Sequence, residues 1–345
     1  MEFSGGRGGA DICPQNVAFA LNSNFPCKGL FLMISVVMAA YNGEQYISEQ
    51  LRSIWNQTQR PDEIIISDDH SSDRTVAVVR DFAKRTGAPV RLIENQERTG
   101  YIRNFFCALK HAGGDYVFLS DQDDIWLPNK IQRCIDILSE HKEVSALSTN
   151  YCLIDENNAV IKRKFRYGGN FGLCQVSLHQ FLRHPKYPGM AMVIRRELLE
   201  EGLKQPSYQA AHDWQLNYLA ARKQALFYCP EVLAYYRQHG NNTVGTAVGG
   251  KSREPRQDRI KMLAALLNNV ELYFRPGGPE AGYLWRLRQV LQRRLRLLGQ
   301  RRAGRLLVYD LCHLNFVSFR SALGDLYVCI KENRNDDNRS RYRNL

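Results

Sequence analysis

Apolar residues follow two alternating rhythms through the first half of the chain. Ile34–Ala39 is a short β-branched run, and Gln45–Gln57 then places Ile47, Leu51, Ile54 and Trp55 at helical spacing. Glu63–Ser67, built on Ile64, Ile65 and Ile66, predicts a second strand, and Arg74–Lys84 a helix opened by Ser72 and Asp73 as capping residues. Val90–Ile93 and Tyr116–Ser120 predict two more strands. Between them Tyr101–Ala112 predicts a helix halted by Gly113-Gly114, and another is expected at Asn129–His141. Strands that are apolar on both faces and alternate with helices predict a mostly parallel sheet covered by helices, an α/β fold.

After Ser145 the rhythm loosens. Strands are expected at Ala146–Ile154 and Lys162–Tyr167 across a Glu156-Asn157-Asn158 turn, and again at Ala225–Tyr228 and Val232–Gln238. Helices are expected at Arg196–Lys204 and Asp213–Arg222. His239–Arg256, rich in Gly, Asn and Thr, reads as a flexible loop. Arg259–Phe274, Tyr283–Leu298 and Arg302–Phe319 read as three further helices, and no internal repeat is visible.

Composition adds a division of the chain. Its 345 residues are long for one simple domain and short for three, and 44% hydrophobic with 24% charged residues excludes wholesale disorder. The net charge of +12 points first to an anionic partner. That charge is unevenly spread: residues 1–250 carry 27 Lys and Arg against 26 Asp and Glu, whereas 251–345 carry 20 against 9. The expected organisation is an extension at 1–32, a main domain at 33–250, a basic helical extension at 251–330 and a frayed tail at 331–345. Met33, directly before the first strand, reads as the natural start, and 1–32 lack the pattern of a secretory signal. Nine scattered cysteines without C-x-x-C spacing argue against a zinc site or disulfide framework and fit a reducing cytoplasm. No apolar run reaches the roughly 18 residues of a membrane span.

Candidate chemistry gathers where strands end. In an open α/β sheet, ligands bind outside the carboxyl ends of the strands. Four segments follow the four predicted strands: Ala40-Tyr41-Asn42-Gly43-Glu44, Asp68-Asp69-His70-Ser71-Ser72-Asp73, Asn95-Gln96-Glu97-Arg98 and Asp121-Gln122-Asp123-Asp124. Clustered carboxylates repel unless a cation sits among them. Oxygen ligands in an Asp-x-Asp arrangement suit Mg2+ or Mn2+, which share their coordination with phosphates. Arg98 and Arg103 are suited to phosphate oxygens. The alternative reading of each Asp is a helix cap or turn former, and for Asp73 that reading is preferred. No G-x-G-x-x-G or G-x-x-x-x-G-K-[ST] follows a strand, which disfavours dinucleotide oxidoreductases and P-loop NTPases.

Three stretches together, Ser35 to Glu44, Ile66 to Asp73 and Phe118 to Trp126, resemble the family 2 glycosyltransferases of GT-A fold. The closest resemblance is to bacterial, rhamnosyltransferase-like members that build surface polysaccharides. It covers Met33 to Val244. His70 stands where the family usually has Gly, at a loop position suited to positive φ, which His tolerates better than bulky β-branched residues.

The resemblance implies a Rossmann-like mixed sheet and a set of roles. Ala40, Tyr41 and Asn42, with Asp68 or Asp69, would hold the base and ribose of a nucleotide diphosphate sugar. Glu44 would help on the ribose side or act as a first-turn helix acid. Arg98 would contact the nucleotide or its phosphates. Asp123 would ligate the metal directly, Asp121 would be a ligand or ribose contact, and Asp124 would stand behind them or cap a helix. Asp213, in His212-Asp213-Trp214, would be the general base of an inverting transfer, or simply a cap, with His212 the next choice. His239 of Tyr236-Arg237-Gln238-His239 would reach the metal or pyrophosphate, and the loop after it would close over the donor. Gly189 and Met190 would line the acceptor side. The implied donor is dTDP-L-rhamnose or a UDP-hexose, and the implied acceptor a glycan, often lipid-linked.

The basic end needs its own account. Arg286, Arg288, Arg293, Arg294, Arg296, Arg301, Arg302 and Arg305 flank a stripe of Leu284, Leu287, Leu291, Leu295 and Leu298, with no acid between Trp285 and Leu306. One reading packs this stripe on the main domain. The other, which is preferred, attaches the basic helix pair to an anionic membrane through its Arg residues, making the protein peripheral on the inner face of the cytoplasmic membrane. Nucleic-acid binding would leave the acidic loops unexplained, and a non-catalytic nucleotide-sugar sensor would leave Asp213 unexplained.

Overall fold

The computed structural model describes residues 32–164, 172–185, 187–239, 255–273, 277–278, 280–300, 302–317 and 321–327. The extension expected at 1–32 lies outside the described residues except for Leu32, as do 240–254 of the expected loop and the tail at 331–345.

The first half alternates as its apolar rhythm predicts: β1 (Ile34–Ala40), α1 (Ile47–Trp55), β2 (Glu63–Asp68), α2 (Thr75–Thr86), β3 (Val90–Glu94), α3 (Tyr101–Leu109) and β4 (Tyr116–Ser120). β1 lies between β2 and β4 and is parallel to both. Its Ala40 is level with Asp68, and its Met38 with Ser120. The carboxyl ends of these strands therefore reach one edge at similar height, and the two acidic loops leave from it side by side.

The second half contains β5 (Ile125–Trp126), α4 (Lys130–Glu140), β6 (Ala146–Ile154), β7 (Val160–Lys164), β8 (Cys174–Gln175), α5 (Leu178–Arg183), a 3-10 turn at Gly189–Ala191, β9 (Met192–Arg195), α6 (Arg196–Lys204), α7 (His212–Arg222) and β10 (Leu226–Arg237). The sheet order is β3-β2-β1-β4-β9-β6-β10-β5. β3, β2, β1 and β4 are mutually parallel, as the alternation predicts, and the whole is the mixed sheet that the resemblance implies. β9 runs antiparallel to both β4 and β6, so the sheet is mixed. β9 follows Gly-Met-Ala without a polar break, and its apolar run has no period to announce a strand. The two strands expected at 225–238 are one, β10, whose pairing with β6 shifts register between Cys229 and Val232. Pro230, which cannot donate to the ladder, sits at that irregularity.

Period-two alternation divides the core. Val36, Met38 and Ala40 pack with Ile47 and Leu51 of α1, Phe82 of α2 and Ile131 and Leu138 of α4. Val37, Ile65, Val117 and Leu119 pack on the other face with Phe105 and Phe106 of α3. Each face is covered by helices, the condition for a sheet whose strands are apolar throughout.

The C-terminal helices are α8 (Pro255–Tyr273), α9 (Ala281–Gly299) and α10 (Ala303–Cys312), the last ending short of the expected Phe319. Leu263 and Val270 of α8 and Leu284, Leu287, Leu291 and Leu298 of α9 belong to the same buried cluster as Trp214, Leu216 and Tyr218 of α7, with Leu295 partly buried against it. The leucine stripe is thus occupied by protein, as in the reading that packs it on the main domain. Arg294 also leaves the basic face: it is buried, with Nε 3.0 Å from Asp310 Oδ1 and Nη2 2.7 Å from Asp325 Oδ2. Among the described residues no helix is long and apolar enough to cross a membrane.

Candidate active site

The loop after β1 is knitted to the loop after β2. Asn42 adopts φ 46, and its backbone N–H donates to Ser71 Oγ (2.9 Å) while its Oδ1 accepts from Ser72 N (2.9 Å). His70 has φ 60, the conformation anticipated from its place in the motif. Glu44 precedes α1, so it is not a first-turn acid of that helix. Its Oε2 accepts from Arg74 N (2.9 Å) at the entrance of α2. Asp73 accepts from Thr75 N (2.9 Å), the capping use preferred for it. Burial pushes the Asp73 carboxyl up, but its hydrogen bonds from Thr75 and Glu44 prevail and hold it below the ordinary value.

Asp68 and Asp69 are both buried and both bonded by protein. Asp68 accepts from Ser71 N (2.8 Å) and Ser71 Oγ (2.5 Å). Asp69 accepts from Thr99 N (2.7 Å), Thr99 Oγ1 (2.8 Å) and Gly100 N (2.8 Å). Asp69 therefore fixes the β3–α3 loop. That loop carries Arg98, whose guanidinium lies 4.0 Å from the centre of the Tyr41 ring. Tyr41 and Arg98 thus form one wall with a flat π surface and a positive charge.

Gln122, which the sequence left without a role, joins the two loops. Its amide accepts from Tyr41 N (2.9 Å) and donates to Tyr41 O (3.0 Å), imitating a strand partner. A Cβ at Gly43 would sit 2.2 Å from Gln122 Oε1, so glycine there makes room for this clasp.

The acids at the end of β4 are crowded. Burial, then the charges of Asp123 and Asp213, push the Asp121 carboxyl up to about 7, against the pull of Lys130. Asp124 is buried and also raised, by burial and then by Asp123 and Asp121. Its Oδ1 accepts from Arg237 N (3.0 Å), while Oδ2 has no hydrogen-bond partner. Asp123 Oδ2 lies 2.7 Å from His239 Nε2. This oxygen-and-imidazole pair beside two further carboxylates suits Mg2+ or Mn2+. Among the described residues no three His, Cys, Asp or Glu side chains are grouped to hold a metal by themselves. A metal here would complete its shell with ligand oxygens and water, as Mg2+ does at phosphate sites.

Two buried cations stand behind the acids, and neither was singled out from the sequence. Arg237 is 1% exposed, and its Nε donates to Asp123 O (2.7 Å), Nη1 to Asn158 Oδ1 (2.5 Å) and Nη2 to Glu49 Oε2 (2.7 Å). It therefore sets the height of both Asp123 and His239. Lys130 Nζ donates to Met190 O (2.6 Å) and lies 4.0 Å from the Trp126 ring centre. Burial lowers Lys130 to about 8, opposed by Cys134, Asp124 and Asp121.

Asp213, in the first turn of α7, is close enough for its charge to act on Asp121. Asp213 Oδ2 accepts from Gly189 N (3.1 Å) and Oδ1 from Trp214 N (2.7 Å). The predicted acceptor-side turn is thus bonded to the predicted base. His212 is a poor base. Its ring is buried, stacked 3.6 Å from Phe105 with both nitrogens unpartnered, and burial lowers it to about 4 despite Asp213. A Cβ at Gly189 would lie 2.8 Å from His212 Nε2, so only glycine fits without displacement.

Comparison with known proteins identifies the family and the fold. The family model described as glycosyl transferase family 2 matches residues 35–203. The chain is 32% identical over 241 residues to the dTDP-rhamnosyl transferase RfbG of Shigella flexneri, spanning 65% of this chain and 79% of that one. It is 32% identical over 130 residues to the UDP-Glc:alpha-D-GlcNAc-diphosphoundecaprenol beta-1,3-glucosyltransferase WfgD of Escherichia coli, 38% of this chain and 50% of that one. The solved structure of the mannosyltransferase PcManGT from Pyrobaculum calidifontis, in complex with GDP-Man and Mn2+, superposes with a TM-score of 0.56 at 20% identity, covering 88% of each chain. That likeness is one of fold, the GT-A fold.

Proposed function

The chain belongs to glycosyltransferase family 2, and on that premise we propose that Asp213 is the base of an inverting sugar transfer to a glycan hydroxyl. The donor is a nucleotide diphosphate sugar. dTDP-L-rhamnose is the first choice, in line with the activity named for RfbG, and a UDP-hexose is the second. The observation that carries this reading is that the turn at Gly189–Met190 ties the two parts together: Gly189 N donates to Asp213 (3.1 Å) and Met190 O accepts from Lys130 behind the β4 acids (2.6 Å), with Asp213 close enough for its charge to act on Asp121.

Each group has a task that follows from its place. Tyr41 offers its ring to the nucleoside, Arg98 its charge to the phosphates, and Asp68 or Asp69 the remaining acceptor capacity of its carboxylate to the base. Ala40 and Asn42 shape this wall, and Glu44 holds its outer end. Asp123 and His239, with Asp121 beside them, would hold Mg2+ or Mn2+, which when bound supplies Lewis-acid stabilisation of the leaving diphosphate. Asp213, oriented by Gly189 N and Trp214 N, removes the acceptor hydroxyl's proton as the new bond forms at the anomeric carbon. One base and an in-line displacement invert the anomeric configuration.

A lipid-linked acceptor fits the name of WfgD, and a peripheral place on an anionic membrane fits the outer surface of α9 and α10. With the leucine stripe buried, that surface exposes Arg293, Arg296 and Arg305 beside Trp285 and Val308, which are 52% and 63% exposed.

The test is a thermal-shift and turnover panel of nucleotide sugars with Mn2+ or Mg2+, on wild type and Asp213→Asn. Wild type should be stabilised by one donor and release its nucleotide diphosphate, while Asp213→Asn should bind that donor and lose transfer. Near wild-type turnover in Asp213→Asn would refute the base assignment.

A further inference from the structure

The segment that enters β9 is held at every backbone carbonyl from Tyr187 to Ala191. Two of these bonds belong to the turn itself: Pro188 O accepts from Ala191 N (3.1 Å), and Gly189 O accepts from Met192 N. The other three come from side chains of three different elements. Asn217 Nδ2 of α7 donates to Tyr187 O (3.0 Å), Lys130 Nζ of α4 to Met190 O (2.6 Å) and Thr149 Oγ1 of β6 to Ala191 O (3.3 Å). Asn217 and Lys130 are both fully buried.

A polar group this deep costs free energy that its bonds have to offset. Asn217 Oδ1 has no hydrogen-bond partner, so packing alone would favour an apolar side chain of the same size at this place. What the amide contributes is its nitrogen, directed at Tyr187 O and, at 3.1 Å, at Met192 Sδ. Asn217 also stands one helical turn after Asp213, on the same face of α7. That face therefore meets the turn twice: Asn217 holds Tyr187 O, and Asp213 Oδ2 accepts from Gly189 N (3.1 Å). Lys130, the first residue of α4, grips the next residue, Met190, from a second helix. The turn is thus bolted to both helices on either side of the one N–H that it gives to Asp213.

We propose that Asn217 and Lys130 are positioning residues for the sugar transfer: by fixing the Tyr187–Ala191 turn they set the Gly189 N–H, and through it the Asp213 carboxylate. The proposal rests on the reading of Asp213 as the base. Trp214 N, which donates to Asp213 Oδ1, belongs to the same helix as Asp213 and moves with it. Gly189 N donates from outside α7, so it registers the carboxylate against the rest of the fold. A carboxylate held at both oxygens keeps one orientation, and a general base works only within hydrogen-bond reach of the proton that it removes. The His212 ring closes the remaining side of the turn, since a Cβ at Gly189 would lie 2.8 Å from its Nε2.

The test uses Asn217→Leu and Lys130→Met, which reach the turn from different helices, so that one variant reports if the other does not fold. Two readouts are taken on the full chain: hydrogen exchange of the 187–192 segment by mass spectrometry, and release of nucleotide diphosphate from dTDP-L-rhamnose or UDP-glucose with Mn2+, with octyl β-D-glucopyranoside or octyl α-L-rhamnopyranoside as acceptor. Each variant should speed exchange of the segment at least about tenfold. Each should lower kcat roughly tenfold to a hundredfold, with donor Kd within about twofold of wild type. Unchanged exchange in both variants overturns the bracket, and faster exchange with unchanged kcat overturns its role in positioning. If Lys130→Met instead weakens donor binding while Asn217→Leu behaves as wild type, Lys130 serves as a countercharge to the β4 acids and the proposal fails. A wild type that binds and turns over no donor, or an Asp213→Asn variant that keeps its turnover, would instead overturn the underlying reading of Asp213, and the exchange data would still report on the bracket.

Discussion

Arg237→Met should damage stability and donor binding together. The guanidinium is 1% exposed and spends its donors on Asp123 O, Asn158 Oδ1 and Glu49 Oε2 at 2.5–2.7 Å. Methionine fills much of the stem's volume but supplies none of these bonds. A hydrogen bond involving a charged group contributes about 1.5–3 kcal/mol. Glu49 is 42% exposed and regains water when released, so its share falls at or below the low end of that range. Asn158 is exposed as well and regains water in the same way, the Asp123 carbonyl loses most, and the apolar thioether offsets part of the sum, which leaves a cost of about 3 kcal/mol. Arg237→Lys keeps the charge but concentrates its donors on one nitrogen, which cannot span three separated acceptors; it should cost about 2 kcal/mol. Urea denaturation measures both, and isothermal titration with the donor and Mn2+ measures the second consequence. Because Arg237 holds the Asp123 carbonyl and leads directly to His239, the Met variant should bind donor at least about tenfold more weakly, a change of about 1.4 kcal/mol. A Met variant within about 0.5 kcal/mol of wild-type stability and with unchanged donor affinity would refute the role given to this residue.

Three other perturbations reach different parts of the chain. Gly43→Ala should push Gln122 off the Tyr41 backbone and cost about 1–2 kcal/mol for the two lost hydrogen bonds; Gly43→Ala with Gln122→Ala should cost little more than Gln122→Ala alone, and strict additivity in chemical denaturation would contradict the clasp. His212 falls from 6.5 to about 4 on folding, so between those values the unfolded chain takes up a proton that the folded chain refuses. Stability should therefore drop as pH falls through that window, by roughly 3 kcal/mol from this group, and His212→Phe should flatten the drop; an equal slope in both proteins would exclude His212 as its source. Arg293→Gln with Arg305→Gln should weaken co-sedimentation with phosphatidylglycerol vesicles roughly thirtyfold at low salt, from about 1 kcal/mol per basic residue, and unchanged partition would remove this surface from the membrane contact.

What could be read from the sequence divides along a physical line. Strand ends and the turns after them are local: β-branched runs fix β1, β2 and β4, and the residues after them reach one edge because parallel neighbours keep register. Even the positive φ of His70 follows from its place in a turn. Arg237 and Lys130 were opaque for the opposite reason. A buried, spent cation is the same letter as a solvated one, and the partners that bury Arg237 lie as far as 188 residues away along the chain. The leucine stripe of α9 shows a related limit. Helical periodicity says that one face needs an apolar partner; it does not say whether that partner is lipid or, as here, the cluster that also holds Trp214 and Tyr218 of α7. β9 escaped because a short unbroken apolar run has no period of its own.

The electrostatics of the edge link these pieces. Asp121, Asp123 and Asp124 are brought together by a tight loop, and Asp213 adds a fourth carboxyl group whose charge acts on Asp121. The fold answers with Lys130 and Arg237, both from behind. Their identified hydrogen bonds, however, go inward or backward, to Met190 O, Asp123 O, Asn158 and Glu49. Asp121 is raised to about 7, by burial first and then by the charges of Asp123 and Asp213, in spite of Lys130. In the reading proposed above, positive charge at the front of the cluster enters from the solvent side together with a ligand. Arg98, exposed on its Tyr41 platform, supplies part of it, and a divalent cation carried with a diphosphate supplies the rest in the reading proposed above. On this account donor binding assembles the site: it relieves the repulsion between the β4 acids and Asp213, and so prepares Asp213 to receive a proton from the acceptor hydroxyl.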